Sequence, residues 1–409
     1  MTWGCYITDL ETGRIGSSID LPSFSWTLTV NDSSMSTTPT KHVGLDDVQS
    51  ITVPWSAIPG ETPRDRYEAI ESGRKAICLF WRDEEAIRDN TIGDPVLWGG
   101  IGVRSSTWQD TTFNLESVYS MLSRRVLVRE GSFKNGTSTD TIYFKGMSMR
   151  GIASEVGSLC TDYKPGGRLP VDWTYLGEKH IKQSGQPSSL HERTYQAWNV
   201  ANLKGSDVFD KLNGVQDGPD MQFRPVLNSE GNTVRMQFLA GTDEELYLGQ
   251  LHVYGFSCYE GGGTLENIQV AYSQPYQRVY ATGAGEDAAT LTAYAENLSL
   301  VTGGPQYSLN EITISDTDTD KVDTLRKQAM NTLGSMYVPV MQMSGDFHMD
   351  DRDTPQLGRL WPGEVAQLTL KDYPDLPDGT YQMRIMELSG DESDKVHVVF
   401  DVMPVPYFD

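Results

Sequence analysis

The sequence predicts a β-rich α+β protein in which two strand-rich regions flank a segment of mixed α/β character. Aromatic residues make up 10% of the 409 residues and glycine occurs 39 times, a composition typical of strands joined by many turns. Apolar and polar residues alternate near both ends, whereas helical spacing appears in the middle. Because one core rarely serves so long a chain, we expect three domains, at residues 1–145, 146–250 and 251–409.

The first region, residues 1–145, is predicted to consist mainly of strands. Residues 23–30 place Phe24, Trp26 and Leu28 on one face of a strand, with serine and threonine between them. Further strands are predicted at residues 50–55, 75–81, 96–103, 111–115 and 142–144. Helices are predicted at residues 63–72, with Thr62 as N-cap and Pro63 at the first position, and at residues 116–124. A charged turn is predicted at residues 82–85.

The middle region, residues 146–250, contains segments with the helical spacing of apolar residues and segments with the alternation of strands. Residues 148–159 carry an apolar residue every three or four positions, which predicts a helix. A shorter helix is predicted over residues 206–212, with Ser206 as its N-cap and Gly214 just past its end. Two strands, at residues 221–227 and 233–239, are predicted to form a hairpin because a glycine-containing turn joins them.

The last region, residues 251–409, returns to strands. They are predicted at residues 267–272, 277–282, 365–370, 379–388 and 395–402, the last three as a meander. Helices are predicted over residues 288–298 and 320–333. Aspartates precede the second helix, which favours an N-terminus there, and Gly334 is predicted to end it.

Charge and hydropathy exclude several classes of protein. Acidic residues outnumber basic residues by 56 to 33, which gives a net charge of −23. Such a chain repels phosphates, so a nucleic-acid-binding protein or a protein of anionic membranes is disfavoured. The N-terminus has no secretory signal, and the apolar run at residues 76–81 is far shorter than the ~20 residues of a membrane helix. We expect a soluble protein made in the cytoplasm.

The sequence carries no convincing catalytic or ligand-binding motif. Cys5, Cys78, Cys160 and Cys258 are far apart, and the histidines do not cluster with them, which favours buried thiols over a zinc site. The common nucleophile, zinc-protease and nucleotide-binding motifs are absent. With 56 acidic residues some Asp/Glu pair is inevitable, so a glycoside-hydrolysing pair stays open as an alternative without being indicated.

Two acidic segments are better explained without a ligand. Residues 316–320 begin like a calcium loop but lack its glycine and its final glutamate, so a helix-capping role is favoured. Around His348 a solvated loop is favoured over a metal site, although four aspartates lie nearby in sequence: Asp346, Asp350, Asp351 and Asp353. We therefore expect no catalytic residue, no cofactor and no metal.

Two stretches nevertheless resemble a known family. The first runs Val96-Leu97-Trp98-Gly99-Gly100-Ile101-Gly102-Val103-Arg104, followed by a polar strand and Tyr119-Ser120-Met121-Leu122-Ser123-Arg124-Arg125. The second is Asp217-Gly218-Pro219-Asp220-Met221-Gln222-Phe223-Arg224-Pro225 before the predicted hairpin, and Trp361-Pro362-Gly363-Glu364-Val365 fits the same plan. Together they resemble minor tail proteins of siphophages that infect actinobacteria, the group similar to baseplate-hub or tail-associated proteins.

This resemblance implies a structural protein of the virion, at the phage tail tip. It implies a homotrimer in which two β-barrel-like hub domains per chain continue the tail tube, with the α/β domain inserted between them and lying outside. The implied partners are neighbouring tail proteins: the distal tail protein, the tape measure and tip or fibre proteins. DNA would pass through without specific binding. Because the sequence stops at Asp409 after its last strand, we expect no lytic domain.

The resemblance also selects candidate structural or interface residues. They are Trp98, Gly99, Gly100, Gly102, Arg124, Arg125, Gly218, Pro219, Asp220, Trp361 and Gly363. We expect Gly99 and Gly100 at a bulge or barrel corner, and most of five tryptophans in cores or subunit contacts: Trp26, Trp55, Trp81, Trp98 and Trp361. The ring's inner wall is predicted to be acidic, with Arg124, Arg125 and Arg129 at subunit contacts or outer faces. The alternatives are a cell-wall hydrolase and a carbohydrate-binding module with exposed aromatic platforms.

Overall fold

The computed structural model describes residues 2–20, 22–30, 46–179, 191–215, 218–249, 252–303, 307–317, 319–350 and 353–406. Strands account for 42% of the residues and helices for 19%, so the predicted β-rich α+β class is confirmed. The part of the chain described has no helix that is long and apolar enough to cross a membrane.

The strands follow the chain in this order: β1 (Thr2–Asp9), β2 (Ile15–Ile19), β3 (Ser23–Thr29), β4 (Asp46–Pro54), β5 (Lys75–Arg82), β6 (Asp94–Ser106), β7 (Asp110–Glu116), β8 (Thr141–Lys145), β9 (Val171–Asp172), β10 (Glu192–Gln196), β11 (Met221–Leu227), β12 (Val234–Ala240), β13 (Val253–Tyr259), β14 (Gly262–Gly263), β15 (Glu266–Ser273), β16 (Arg278–Thr282), β17 (Thr292–Glu296), β18 (Glu311–Ser315), β19 (Val340–His348), β20 (Val365–Leu370), β21 (Gly379–Asp391) and β22 (Lys395–Pro404).

The α-helices are α1 (Pro63–Ala69), α2 (Glu84–Arg88), α3 (Val118–Leu122), α4 (Met149–Cys160), α5 (Gly205–Asn213), α6 (Ser299–Thr302) and α7 (Val322–Met336). Three short 3-10 helices lie at Trp55–Ala57, Ala197–Asn202 and Asp287–Ala289. At α1 the predicted cap is present as a capping box, because the Thr62 hydroxyl accepts from the Asp65 amide while the Asp65 carboxylate accepts from the Thr62 amide.

Fourteen strands form one large sheet that joins the two ends of the chain. Its main path is β14-β13-β20-β21-β3-β4-β7-β6-β5-β1-β2, and β22, β19 and β15 branch from β21. The ladder between β3 and β21 pairs Leu28 with Leu388, so strands of the first and last regions belong to one hydrogen-bonded sheet. Three smaller sheets are β8 with β10, β9 with β11 and β12, and β16 with β17 and β18. None of these sheets closes into a barrel within the described ranges.

Three hydrophobic cores accompany these sheets. The first lies on the large sheet and combines residues from both ends of the chain, among them Trp26, Trp81 and Phe400. The second packs the opposite side of β5 and β6 against α4, α5 and the β11–β12 hairpin. The third is small and lies between α7 and the β16–β17–β18 sheet, around Val279 and Leu325.

Several local predictions are confirmed and others are wrong. The β11–β12 hairpin and the final meander of β20, β21 and β22 form as predicted. The helix predicted over residues 288–298 is wrong, because β17 occupies the centre of this segment and pairs with β16, where Ala293 and Ala295 face the third core. The period of two in Thr-Ala-Tyr-Ala-Glu outweighs the helix propensity of alanine and glutamate.

Three helix boundaries also differ from the prediction. Gly334 lies inside α7, which continues to Met336, and a Cβ at Gly334 would meet no other atom. Ser206 is not a cap, because α5 begins one residue earlier and Lys204 occupies the N-cap position. The charged turn after β5 contains the start of α2, whose N-cap Asp83 accepts a hydrogen bond from the Ala86 amide at 2.8 Å.

Candidate functional site

The glycines of β6 make room for neighbouring side chains. A Cβ on Gly100 would lie 2.9 Å from Leu10 Cδ1 and from Met121 Cε, and one on Gly99 would lie 2.9 Å from Leu115 Cβ. Real Cβ atoms do not approach other atoms so closely, so β6 can pack between its neighbours and α3 only because both positions lack a side chain.

The bulge expected at Gly99 and Gly100 lies elsewhere. Both residues pair regularly with β5, at Ile77 and Ala76. Between Ile101 and Arg104 one extra residue enters β6 relative to β7, which places the irregularity at positions 102 and 103. A second register shift in β6, relative to β5, lies between Pro95 and Leu97. The sequence pattern therefore located the irregular strand, but neither irregularity coincides with Gly99 or Gly100.

Trp98 belongs to the same packed layer. Its ring is buried, and its indole Nε1 donates to the Thr8 hydroxyl at 3.0 Å, so its polar group is satisfied inside the core. Of the other four tryptophans predicted to pack internally, Trp26, Trp81 and Trp361 are buried and Trp55 is half-buried. The expectation of core positions is confirmed for most of the five.

Arg124 and Arg125 are adjacent in sequence but contact different elements. Arg124 makes a two-bond ion pair with Glu116 at the end of β7, and 61% of its side chain is exposed. Hydrogen bonding to Glu116 raises the pKa of the Arg124 guanidinium. Arg125 instead donates to two carbonyls, those of Gly167 and Cys160. Cys160 is the last residue of α4, and a cation is favourable at the C-terminus of a helix. Burial lowers the pKa of Arg125.

A second set of candidate residues meets where the middle region contacts the last one. We call this contact the junction, and it consists of residues 218–224, residues 361–364 and Arg384 on β21. Asp220 is fully buried, and its carboxylate accepts from the Arg384 guanidinium and from the Leu248 amide at 3.2 Å. Arg384 Nε also donates to the Gly363 carbonyl at 3.2 Å. Three distant segments are thus tied through one arginine.

A second ion pair lies in the same junction. Arg224 Nη1 is 3.3 Å from Glu364 Oε1, and both side chains are largely buried. The Arg224 guanidinium also stacks over the Trp361 ring, 5.2 Å from its centroid. Burial lowers the pKa of Arg224 and raises that of Glu364, because removal from water disfavours both charged forms.

The two junction glycines are needed for different reasons, Gly218 because backbone lies against it and Gly363 because of its backbone conformation. A Cβ on Gly218 would lie 2.0 Å from the Asn213 carbonyl oxygen. The next residue, Pro219, accepts a hydrogen bond from Asn213 Nδ2 at 2.8 Å, which fixes the turn that aims Asp220 inward. Gly363 adopts a φ of +95°, in the region that side-chain-bearing residues rarely enter. Gly363 therefore allows the turn that presents its carbonyl to Arg384.

The junction joins distant segments of the chain through two buried ion pairs. Removing one partner of a buried ion pair typically costs about 3–5 kcal/mol, because the other charge is left buried without compensation. Elsewhere in the chain, the buried thiols are poor nucleophiles because they stay protonated. Burial raises the pKa of Cys160 to about 11 and also raises the pKa of Cys5 and Cys78.

The structure divides ten of the eleven candidate residues into two groups and places Arg125 apart from both. Trp98, Gly99 and Gly100 pack between strands and α3, with Gly102 and Arg124 beside Glu116 at the surface. Gly218, Pro219 and Asp220 meet Trp361 and Gly363 at the junction, while Arg125 binds the end of α4. Sequence reasoning did not select the charged partners Arg224, Glu364 and Arg384. Arg224 and Glu364 stood within the quoted motifs, whereas nothing in the local pattern marked Arg384.

Comparison with known proteins identifies the fold. No protein-family model matches the sequence, and no curated protein matches it. Among solved structures, a 43 kDa tail protein of prophage MuSo2 from Shewanella oneidensis is 12% identical, with a TM-score of 0.51; 99% of this chain and 100% of that chain are covered.

Two further tail proteins are similar with lower scores. A tail protein from Neisseria meningitidis is 9% identical, covers 98% of this chain and 96% of its own, and has a TM-score of 0.47. A prophage tail protein from Listeria monocytogenes is 8% identical, covers 97% and 94%, and scores 0.45. The assignment rests on the Shewanella structure. This chain has, along almost its whole length, the fold of a phage tail protein.

Proposed function

We propose that this chain is a structural component of a phage tail tip, a baseplate hub that continues the tail tube and joins it to the distal apparatus. The observation that carries the proposal is the end-to-end match to a prophage tail protein, in which 99% of this chain and 100% of that one are covered. Because a fold can serve several functions, the assembly itself has to be tested.

The proposed assembly is a homotrimer. In each chain the regions 1–145 and 251–409 serve as the two hub domains, and the ladder between β3 and β21 holds them in one sheet. The region 146–250 lies outside the ring and is tied to the rest by the junction. Sheets of neighbouring chains complete the barrel-like walls, since no sheet closes on itself among the described residues. Its partners are the distal tail protein, the tape measure and tip or fibre proteins, in a siphophage of the actinobacterial type.

The net charge of −23 per chain supports a passage for DNA. Phosphates that met lysine or arginine along a channel would bind there, and each contact would retain the DNA. We propose an acidic inner wall. Arg124 and Arg129 support this view because each is paired within the chain, with Glu116 and Asp140. Arg125 is likewise engaged with backbone carbonyls.

The assembly is tested by measuring the mass of the purified chain and imaging it. Mass photometry at rising protein concentration is expected to show a species of three times 45.5 kDa. Negative-stain images of that species should show a ring with a central opening. A chain that stays monomeric at every concentration, both alone and with the other tail proteins of its phage, would contradict the hub.

The acidic inner wall of the proposed DNA passage is tested separately with duplex DNA. At low salt the ring should leave the mobility of duplex DNA unchanged, since an acidic wall offers phosphates no partner. Salt-sensitive binding of duplex DNA by the ring would reject the acidic wall while leaving the trimer intact. A charge map of the assembled ring would then show which basic residues line it.

Of the two rival functions, carbohydrate binding has one observation in its favour. Trp108, at the tip of the β6–β7 hairpin, is fully exposed and Trp198 is largely exposed, and exposed rings can stack on sugars. A glycan array with the wild type and Trp108→Ala distinguishes the roles, because only a receptor-binding module would lose binding. For a hydrolase no described group favours the reaction, and clearing of host cell wall in a zymogram would overturn the structural role.

A further inference from the structure

The end of β19 lies against the turn between β21 and β22, and this contact brings together three side chains that can bind a metal. They are His348, Asp350 and Asp394, whose ligand atoms all lie within 4.8 Å of one another. The backbone there is fixed, because the Met349 amide donates to the Asp394 carbonyl at 2.9 Å and the Thr354 hydroxyl donates to the His348 carbonyl at 2.6 Å.

The ring nitrogen of His348 and the carboxylate of Asp394 are spaced as two ligands of one tetrahedral ion would be. His348 Nδ1 is 3.4 Å from Asp394 Oδ2. Two ligand atoms about 2.0–2.1 Å from a tetrahedral zinc ion are about 3.3–3.4 Å apart, whereas hydrogen-bonded pairs cluster near 2.9 Å. A neighbouring pair gives the contrast, since His397 Nδ1 and Asp346 Oδ1 are 2.8 Å apart and hydrogen-bonded.

The second ring nitrogen of His348 provides an independent observation. His348 Nε2 faces the Glu266 carboxylate at 3.9 Å, across the ladder of β15 and β19. A histidine that binds a metal through one nitrogen commonly directs its other N–H to a carboxylate, which fixes the ring and strengthens the ligand. The imidazole of His348 therefore has a candidate ligand partner on one side and an orienting carboxylate on the other.

Lys395, a cation on the neighbouring strand, is engaged with another carboxylate. Lys395 lies opposite His348 in the ladder of β19 and β22, but its Nζ is bound to Asp346 at 2.8 Å. Asp346 also accepts from His397 and from Asn267, so its carboxylate is committed to those groups. Asp350 is exposed, and its carboxylate already lies within 4.8 Å of the ligand atoms of the other two side chains.

We propose that His348, Asp350 and Asp394 form a binding site for a divalent transition-metal ion, with Zn²⁺ as the fitting probe. One imidazole and two carboxylates suit Zn²⁺, whereas Ca²⁺ and Mg²⁺ prefer sites made entirely of oxygen. Three protein ligands leave one tetrahedral position for water. The bound ion would fasten the end of β19 to the β21–β22 turn and so stabilise that corner of the large sheet.

The experiment is calorimetric titration of the full chain after treatment with EDTA and removal of the chelator. Zn²⁺ is expected to bind at one ion per chain and to raise the melting temperature, and EDTA should reverse both effects. His348→Ala and Asp394→Asn should each weaken binding at least tenfold. The matched control His397→Ala removes an imidazole from the same sheet and should bind Zn²⁺ as the wild type does.

The variants are first compared without metal, so that a folding defect is not mistaken for a lost ligand. Melting temperatures in EDTA and circular dichroism serve this purpose. Absorption of the Co²⁺ form reports coordination, because tetrahedral Co²⁺ absorbs far more strongly than octahedral Co²⁺. Absence of one-to-one binding, or equal binding by His348→Ala and the wild type, would overturn the site. Neither outcome bears on the role in a phage tail.

Discussion

The glycine-rich strand β6 and the junction differ in which neighbouring atoms occupy the space left by their glycines. In β6, missing side chains at positions 99 and 100 make room for the side chains of Leu115, Leu10 and Met121. In the junction, the missing side chain of Gly218 makes room for the backbone at Asn213, and the turn it permits buries a charge. Both segments combine glycines with a buried tryptophan, yet one builds an apolar layer and the other holds two ion pairs.

The difference follows from how far apart the interacting residues are in sequence. The two strands that pair with β6 are its neighbours in sequence, β5 and β7, so a local pattern of apolar residues and glycine describes this pairing. Asp220 and Arg384 are 164 residues apart, and Arg224 and Glu364 are 140 apart. An ion pair across such a distance stabilises the joining of two regions rather than the folding of either.

The largest expected effect is the loss of the Asp220 carboxylate. Asp220→Ala leaves the Arg384 guanidinium buried without its counter-charge, which should lower the free energy of unfolding by about 3–5 kcal/mol. Urea unfolding followed by tryptophan fluorescence measures the change. In the double variant Asp220→Ala/Arg384→Met the unpaired charge is gone, so part of the loss should be recovered. If Asp220→Ala lost no more free energy of unfolding than a variant of an exposed ion pair, the contrast with β6 would be lost.

A smaller loss is expected from filling the space beside Gly100. Gly100→Val forces a branched side chain against Leu10 and Met121, and overpacking of this kind costs about 1–3 kcal/mol. The matched control is Gly255→Val on β13, where a Cβ would meet no atom within 4 Å. Because valine favours strands, the control should be neutral or slightly stabilising. Equal losses in both variants would mean that backbone effects, not packing, explain glycine in β6.

Two arginine–glutamate pairs should respond to pH in opposite directions. Hydrogen bonding from Arg150 lowers the pKa of Glu178, so its contribution is present at neutral pH and is lost as pH falls through the folded-state pKa. Burial raises the pKa of Glu364 above its usual 4.5, so its ionisation opposes folding as pH rises from there.

The comparison uses Glu178→Gln and Glu364→Gln, each measured against the wild type between pH 3 and 8. The stability advantage of the wild type over Glu178→Gln should shrink on acidification. Relative to Glu364→Gln, the wild type should lose stability as pH rises. If both stability differences changed with pH in the same direction, burial would not explain the pH response of the Arg224–Glu364 pair.

The sequence was sufficient where the determinants are local. Alternation predicted β3 and β20 to β22, and Thr62 with Pro63 predicted the start of α1. The prediction failed at β17, because alanine-rich segments satisfy both periods and only pairing with β16 decides between them. It could not foresee the ladder between β3 and β21 or the choice of Arg384, since both depend on contacts between regions hundreds of residues apart.

The smallest effect is expected at the exposed pair beside β6, which has the same chemistry as the junction without its burial. Arg124→Ala removes a two-bond contact with Glu116, but 61% of the Arg124 side chain is already exposed. Exposed pairs contribute about 0.2–1 kcal/mol, and salt screens them. Urea unfolding in low salt should show a loss in that range, and the loss should shrink in 0.5 M salt. The loss in Asp220→Ala should change little with salt, because solvent ions do not reach a fully buried carboxylate. An Arg124→Ala variant as unstable as Asp220→Ala, and equally insensitive to salt, would show that depth of burial does not separate the two pairs.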